Sequence, residues 1–177
     1  KESMRMGYLV EDLLMLARMD QSRELVISDV NLSELVQEAV TSAQAAGPEH
    51  TITTNISAGL ATKGDAVKIY QVVTNLLANA RAHTPAGTTI TVSTFTDGKD
   101  SFVTVADNGP GLSAEDQARI FERFYRADAS RVRTDGEGTG LGLSIVDAVM
   151  RAHAGQVSVE SEVGKGAVFT LFFPLGS

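Results

Sequence analysis

Asn75 and Asn79 stand four residues apart inside an apolar run, Val72-Val73-Thr74-Asn75-Leu76-Leu77-Ala78-Asn79-Ala80. At helical pitch the two amides share one face. Asparagine is a mediocre helix former. Two on one face of an apolar helix therefore point to an oxygen-presenting site, and amide oxygens suit Mg²⁺ held together with phosphates. Alone, the pair reads equally well as surface amides or as amides satisfied in a core. Eight of the 16 glycines fall in three short clusters: Gly109 and Gly111; Gly136, Gly138, Gly140 and Gly142; Gly164 and Gly166. Glycine permits close approach of backbone to ligand. The middle cluster, Gly136-Glu137-Gly138-Thr139-Gly140-Leu141-Gly142, runs directly into a predicted helix. That arrangement presents main-chain N–H groups and a positive helix end to an anion such as phosphate; a flexible hinge is the other reading. Asp107 closes a predicted strand in Asp107-Asn108-Gly109-Pro110-Gly111. A carboxylate there can accept a hydrogen bond from an exocyclic amine, such as that of adenine, although the same residues are strong turn formers. Arg123, Arg126, Arg131 and Arg133 add guanidinium forks suited to phosphate oxygens, or else a solvated charged loop.

These groups need elements to hold them. The first twenty residues read as a helix, with Met6, Leu9, Leu13 and Leu16 at steps of three and four and Val10, Leu14 and Ala17 widening the stripe. The spacing fits a coiled-coil seam or a bundle helix, and also a helix packed on its own domain. A short strand is predicted over 24–30. Asn31 with Glu34 opens a helix to about Ala46, which Gly47-Pro48 ends. A strand over 51–56 follows. Gly64-Asp65 then precedes a long helix carrying Val67, Ile69, Tyr70, Val73, Leu76, Leu77 and Ala80, stopped by Pro85-Ala86-Gly87. Strands over 89–96 and 101–106 flank a turn at Asp97-Gly98. A short helix starts from Ser113, with Glu115 and Asp116 in its first turn. Residues 120–125 are rich in aromatics, and 126–138 read as a mobile charged loop. A helix over 142–154 and strands over 156–161 and 167–174 complete the chain. This order suggests an α+β sandwich, its largely antiparallel sheet covered on one face by helices.

Composition narrows the chemistry. At 177 residues the chain holds one domain, or one with an appendage. With 43% apolar and 21% charged residues it can fold around a core rather than remain disordered. A net charge of −7 argues against a nucleic-acid-binding domain. The absence of cysteine excludes disulfides, thiolate metal sites and cysteine nucleophiles. No apolar run approaches the roughly 18 residues of a membrane span. Lys1-Glu2-Ser3 has no signal-peptide layout and no initiator methionine, which suggests a piece of a longer protein. No G-x-x-x-x-G-K-[ST] motif occurs. The middle glycine cluster follows a charged loop rather than a strand, which argues against a dinucleotide fingerprint. No V-A-I-K or H-R-D set is present, so this is not a kinase of the Ser/Thr/Tyr type.

In order, these segments resemble the catalytic, ATP-binding domain of bacterial two-component sensor histidine kinases, within the gyrase/chaperone/histidine kinase/MutL ATPase superfamily. Asn75-Leu76-Leu77-Ala78-Asn79-Ala80 resembles the N box, and Asp107-Asn108-Gly109-Pro110-Gly111-Leu112 the G1 box. Ile120-Phe121-Glu122-Arg123-Phe124-Tyr125-Arg126 resembles the F box, and Gly138-Thr139-Gly140-Leu141-Gly142-Leu143 the G2 box. Gly164-Lys165-Gly166 followed by Phe169 is similar to the family's last glycine turn. The match covers roughly residues 25–175. Val10-Glu11-Asp12-Leu13-Leu14-Met15-Leu16-Ala17-Arg18 is similar to the end of the second dimerisation helix of these kinases. The phosphoacceptor motif is absent, and His50, His83 and His153 lack its context.

The resemblance implies a Bergerat-type two-layer sandwich over 23–177, with a mixed, largely antiparallel sheet, preceded over 1–22 by the remnant of a dimerisation-hairpin helix. It implies that Asn79 coordinates Mg²⁺ and that Asn75 supports the phosphate and its water shell. Asp107 would read the adenine amine, and Gly109 and Gly111 would let the chain pass close to the base. Gly138, Thr139, Gly140, Leu141 and Gly142 would cradle phosphates. Arg126 would touch the γ-phosphate, and Phe121 and Phe124 would anchor the lid. Family members often carry Lys three residues after the second Asn. Here Ala82 stands there, with Arg81 beside it about 100° around the helix; Arg81 and His83 join the expected cofactor-binding set. Ala167 replaces the usual Ser or Thr after the last glycine turn.

The implied activity is transfer of the ATP γ-phosphate to a histidine on the dimerisation hairpin of the same protein. Relay to the receiver domain of a response regulator would follow. The implied location is a cytoplasmic domain of a bacterial inner-membrane sensor, with no nucleic-acid partner and no membrane contact by this chain. Two rivals are an ATPase that drives a conformational clamp and a nucleotide-gated regulatory module without transfer. The F box, the short lid and the first helix favour the kinase; Asn79, Asp107 and the G2 glycines argue against the module.

Overall fold

The computed structural model describes residues 24–127 and 140–175, together with Met6, Gly7, Leu9, Val10, Glu11, Leu13, Leu14 and Ala17, which are helical. Of that first stripe, Met6, Val10, Leu13 and Leu14 are exposed, while Leu9 is half-buried against the core. Leu16 lies outside the described residues.

Strand β1 (Ser28–Asn31) leads into helix α1 (Leu32–Ala45), whose cap is the Asn31 side chain accepting from the Glu34 N–H at 3.2 Å. Leu32, Val36, Ala39 and Val40 form its buried stripe. Strands β2 (Thr51–Ile56) and β3 (Ala61–Gly64) follow. Helix α2 (Ala66–His83) is capped by Asp65 and buries Ile69, Val72, Val73, Leu76, Leu77 and Ala80 at helical spacing. It ends at Thr84, extended at ψ 150°, as expected of a residue before proline. Strands β4 (Thr89–Thr96) and β5 (Ser101–Asp107) form a hairpin whose turn is held by the Asp97 carboxylate, which accepts from the Lys99 and Asp100 N–H groups. Short helix α3 (Ala114–Arg119) is capped by Ser113. Helix α4 (Gly142–Ala152) and strands β6 (Gln156–Glu162) and β7 (Gly166–Phe173) close the chain.

The main sheet runs β2-β4-β5-β7-β6. Only the β2–β4 pair is parallel, so the sheet is mixed and largely antiparallel, as expected. Alternate residues Ile90, Val92, Val103, Val105, Phe169, Leu171 and Phe173 face inward onto the buried stripes of the helices. Along the strands they alternate with Thr91, Ser93, Thr104 and Thr170, which are not buried. This alternation is what a sheet with one packed and one wet face requires. The strand expected over 24–30 starts later, at Ser28. Its partner β3 was not anticipated. Four residues containing a lysine and a glycine carry no periodicity, and only antiparallel pairing of Ser28–Asn31 with Ala61–Gly64 makes them a strand.

Candidate functional site

Helix α2 brings Asn75 and Asn79 to one half-buried face. The Asn75 amide donates to the Gly142 carbonyl at 3.5 Å, which sets the first residue of α4 against the middle of α2. The Asn79 side chain has no hydrogen-bond partner among the described residues, so its oxygen is available to a ligand. Among the described residues no side chain caps α4, and a helix start carries main-chain N–H donors and partial positive charge. Leu141 is fully buried and anchors the entry to the helix. Its carbonyl accepts from the Ser144 hydroxyl at 2.8 Å. Among the described residues, a Cβ on Gly142 would meet nothing within 4 Å.

Gly140 is different. Its φ is +75°, and a Cβ would lie 2.9 Å from the Phe124 main chain, whose N–H donates to the Gly140 carbonyl at 3.0 Å. The aromatic segment and the glycine turn are thus tied backbone to backbone. Phe121 and Phe124 part company here. Phe121 is half-buried and meets Phe169 edge-on at 6.3 Å. Phe124 is 55% exposed at φ +62°. A bulky side chain in that region costs about 1–3 kcal/mol, and with more than half of its surface exposed, burial offsets that only in part. Phe124→Gly is therefore expected to leave the melting temperature unchanged or raise it slightly, while slowing the reaction proposed below. A clear loss of thermal stability would show Phe124 to be structural.

Around Phe124, a cavity of about 300 Å³ is lined by Arg119, Glu122, Arg123, Tyr125 and Arg126. Tyr125 donates to Asp116 at 2.5 Å, and Arg119 lies over its ring at 4.5 Å while pairing with Glu122 at 3.1 Å. The hydrogen bond to Asp116 pushes the Tyr125 phenol up to about 12. Arg126 is half-buried at the end of this segment.

Asp107 ends β5 half-buried and accepts from the Gly109 N–H at 2.9 Å. Burial pushes its carboxyl above the usual range, against main-chain hydrogen bonds at Gly109 and Ala167. Gly109 packs on Thr84, where a Cβ would come within 2.7 Å of the threonine methyl. Thr84 donates to the Ala80 carbonyl at 2.7 Å and accepts from His50 Nε2 at 2.9 Å. At Gly111 a Cβ would overlap the Glu162 carbonyl. Ser161 accepts from the Leu112 N–H and donates to the Gly166 carbonyl, both at 2.7 Å. Gln117 clasps the Ser161 main chain, donating at 2.9 Å and accepting at 3.1 Å. Thr84, Gln117 and Ser161 were missed by sequence reasoning; partners 44 residues apart leave no local signal.

Arg81, expected in the cofactor-binding set, donates to the Ala43 and Gly47 carbonyls at 3.1 and 3.2 Å and pairs with Glu49 at 3.1 Å. It stands two residues past Asn79, about 200° around the helix, and serves the C-terminus of α1. His83 is exposed, one turn beyond Asn79. Gly138, Thr139 and most of the expected mobile loop lie outside the described residues.

The arrangement can take an elongated ligand with an amine at the Asp107 end and negative charge at the α4 end. A divalent cation fits if the ligand supplies most of the oxygens. The available Asn79 oxygen is one suitable donor, and no cluster of three or more acidic or histidine ligands occurs among the described residues.

Residues 64–177 match the family described as histidine kinase-, DNA gyrase B-, and HSP90-like ATPase. Among curated proteins, the probable sensor histidine kinase TcrY of Mycobacterium tuberculosis is 47% identical over 164 residues, covering 92% of this chain and 34% of the relative. The sensor histidine kinase TrcS of the same organism is 37% identical over 180 residues, covering 98% and 35%. The chain thus spans about a third of the length of these relatives. Among solved structures, full-length ShkA in complex with AMPPNP superposes with a TM-score of 0.79 at 30% identity, covering 96% of this chain and 36% of that one.

Proposed function

Because the chain belongs to the histidine kinase-, DNA gyrase B-, and HSP90-like ATPase family, we propose that it is the Mg-ATP-binding catalytic domain of a sensor histidine kinase. It transfers the ATP γ-phosphate to a histidine nitrogen on a dimerisation hairpin, for relay to a response-regulator aspartate. The observation that carries this reading is the contact of Asn75 with the first residue of α4. It brings the first residue of α4 against the helix that carries Asn75 and, one turn further on, Asn79.

In this reading Asp107 accepts from the adenine amine, and the close-packed Gly109 and Gly111 let the base lie against the backbone. The start of α4, with Gly140, Leu141 and Gly142, holds the phosphates by main-chain N–H groups. Mg²⁺, when bound at Asn79, neutralises charge on the phosphate oxygens. Arg126 steadies the γ-phosphate while the histidine nitrogen forms its bond to phosphorus and ADP leaves. The domain's contribution is positioning and charge neutralisation. The acid/base group belongs with the histidine.

The test is transfer in trans. The chain is mixed with Mg²⁺, γ-labelled ATP and a separately made hairpin bearing the phosphoacceptor histidine. Base-stable, acid-labile label is expected on the hairpin and none on the chain alone. Steady release of free phosphate without label would favour the ATPase clamp.

A second prediction concerns Asp107. Asp107→Asn retains the acceptor for the Gly109 N–H but weakens the contact to an amine. ATP affinity is expected to fall about 30-fold or more, as for a charge-assisted hydrogen bond of about 2–3 kcal/mol. The carboxylate is the binding form, and burial raises its pKa. Wild-type affinity should therefore decline on acidification at a higher pH than an ordinary aspartate would dictate, and the variant should lose that component. Folding runs the other way. A raised carboxyl pKa means stability is lost as pH rises through it, so the variant should be no less stable at neutral pH. Calorimetric titration and thermal unfolding across pH check both signs.

A further inference from the structure

We propose that Asp65 and His153 are positioning residues that tie the chain entering at Val26 to the junction of α2 and α4. Only the nucleotide arm of the test rests on the reading above. Asp65 is nearly buried and uses both carboxylate oxygens on main-chain donors. Oδ1 accepts from Lys68 N–H at 3.2 Å, which caps α2. Oδ2 accepts from Val26 N–H at 3.1 Å, across 39 residues. The first bond is an ordinary cap that asparagine supplies as well. The second needs another acceptor, which a carboxylate has and an amide nitrogen is not.

The Val26 side chain is 76% exposed, so packing does not explain why its backbone is held there. The Asp65 N–H, in turn, donates to His153 Nε2 at 3.0 Å, and His153 Nδ1 meets the Val149 carbonyl at 2.8 Å. An N–H can only donate and a carbonyl only accept, so the ring is neutral with its proton on Nδ1. The ring sits tightly against Gly64, where a Cβ would come within 2.8 Å of it.

One residue, Asp65, therefore links three things: the chain at Val26, the start of the helix that carries Asn75 and Asn79, and the end of the helix that begins at Gly142. The Asn75–Gly142 contact joins the same two helices further along. A change at Val26 thus bears on the angle between α2 and α4. If the joint couples the two, a ligand that grips both helices more tightly when Val26 is tied down will, by reciprocity, hold Val26 more firmly.

The experiment is residue-resolved amide hydrogen exchange on the whole 177-residue chain. In Asp65→Asn, Val26 exchange should rise about tenfold or more while the Lys68 cap persists. In His153→Ala without nucleotide, Val26 and Lys68 should both exchange faster, although His153 touches neither. His153→Gln, which restores an acceptor, should recover part of the protection and covers the case where the alanine variant fails to fold. Faster exchange confined to Asp65 and the end of α4, with Val26 unchanged, overturns the proposal. With Mg-ATP, the wild-type chain should gain protection at residues 142–144 and at Val26 together, and Asp65→Asn at 142–144 only. Protection at 142–144 without Val26 rejects the coupling and leaves the ATP site standing. Protection at neither, with Val26 still loosened in His153→Ala, removes the ATP reading and leaves the joint.

Discussion

Asn79→Ala should cut the rate of label transfer to the hairpin on the order of 100-fold or more, with little change in fold. The expected size follows from losing the oxygen that would hold the charge-neutralising Mg²⁺, since single contacts that stabilise developing charge account for factors of about 10²–10³. The fold should tolerate the change for a local reason. Alanine is the better helix former by up to about 0.7 kcal/mol. The Asn79 amide also gives up no hydrogen bond to the described residues, and the position is only half-buried. The melting temperature should therefore hold or rise. Asn75→Ala is the informative contrast, because Asn75 also donates to the Gly142 carbonyl and its loss should loosen α4 as well. Transfer by Asn79→Ala within threefold of wild type would remove Asn79 from the proposed site.

Gly166→Ala should be the most destabilising of the substitutions considered. Gly166 has φ +87°, and its Cβ would overlap the Asp107 carbonyl oxygen and lie 3.0 Å from Asn108 Cα. The conformation alone costs a non-glycine residue about 1–2 kcal/mol. Both obstructing groups are main chain, at the end of the paired strand and in the residue after it, so they cannot swing aside. Separating β5 from β7 adds about 1–3 kcal/mol of overpacking strain. At roughly 2–4 °C per kcal/mol for a chain of this size, the melting temperature should fall by about 4–20 °C. Because the displaced group is Asp107 itself, ATP affinity should weaken as well. Gly164 provides the control. Its φ is +84° but a Cβ there meets nothing within 4 Å, so Gly164→Ala should show the conformational cost alone. Equal destabilisation of the two variants would mean that the close approach to Asp107 is not what Gly166 provides.

Arg81 and Asp65 mark where reading the chain succeeds and where it stops. Asp65 was legible as the residue before a long helix, and its cap to Lys68 spans three residues. Its bonds to Val26 and His153 span 39 and 88. Arg81 stands beside Ala82 but about 100° around the helix, and it turns toward the end of α1 and the loop after it, which offer it two carbonyls and a carboxylate. The aromatic segment shows the same division. Phe121 and Phe124 look alike in the sequence, but one meets Phe169 while the other is held outward by the Gly140 main chain.

The chain's own pattern was enough to place, among the described residues, the helices, six of the seven strands and the order of the functional segments. It also put the two asparagines on one face and glycine before α4. Those features obey rules that act within about four residues: helical and strand periodicity, side-chain caps, and the freedom of glycine. The meeting of Asn75 with α4, the clasp of Gln117 on Ser161, the diversion of Arg81 and the tie from Val26 through Asp65 to His153 were decided only by the packed chain. Each joins groups far apart in sequence, and their distances are set by sheet pairing and helix packing rather than by any residue's local preference.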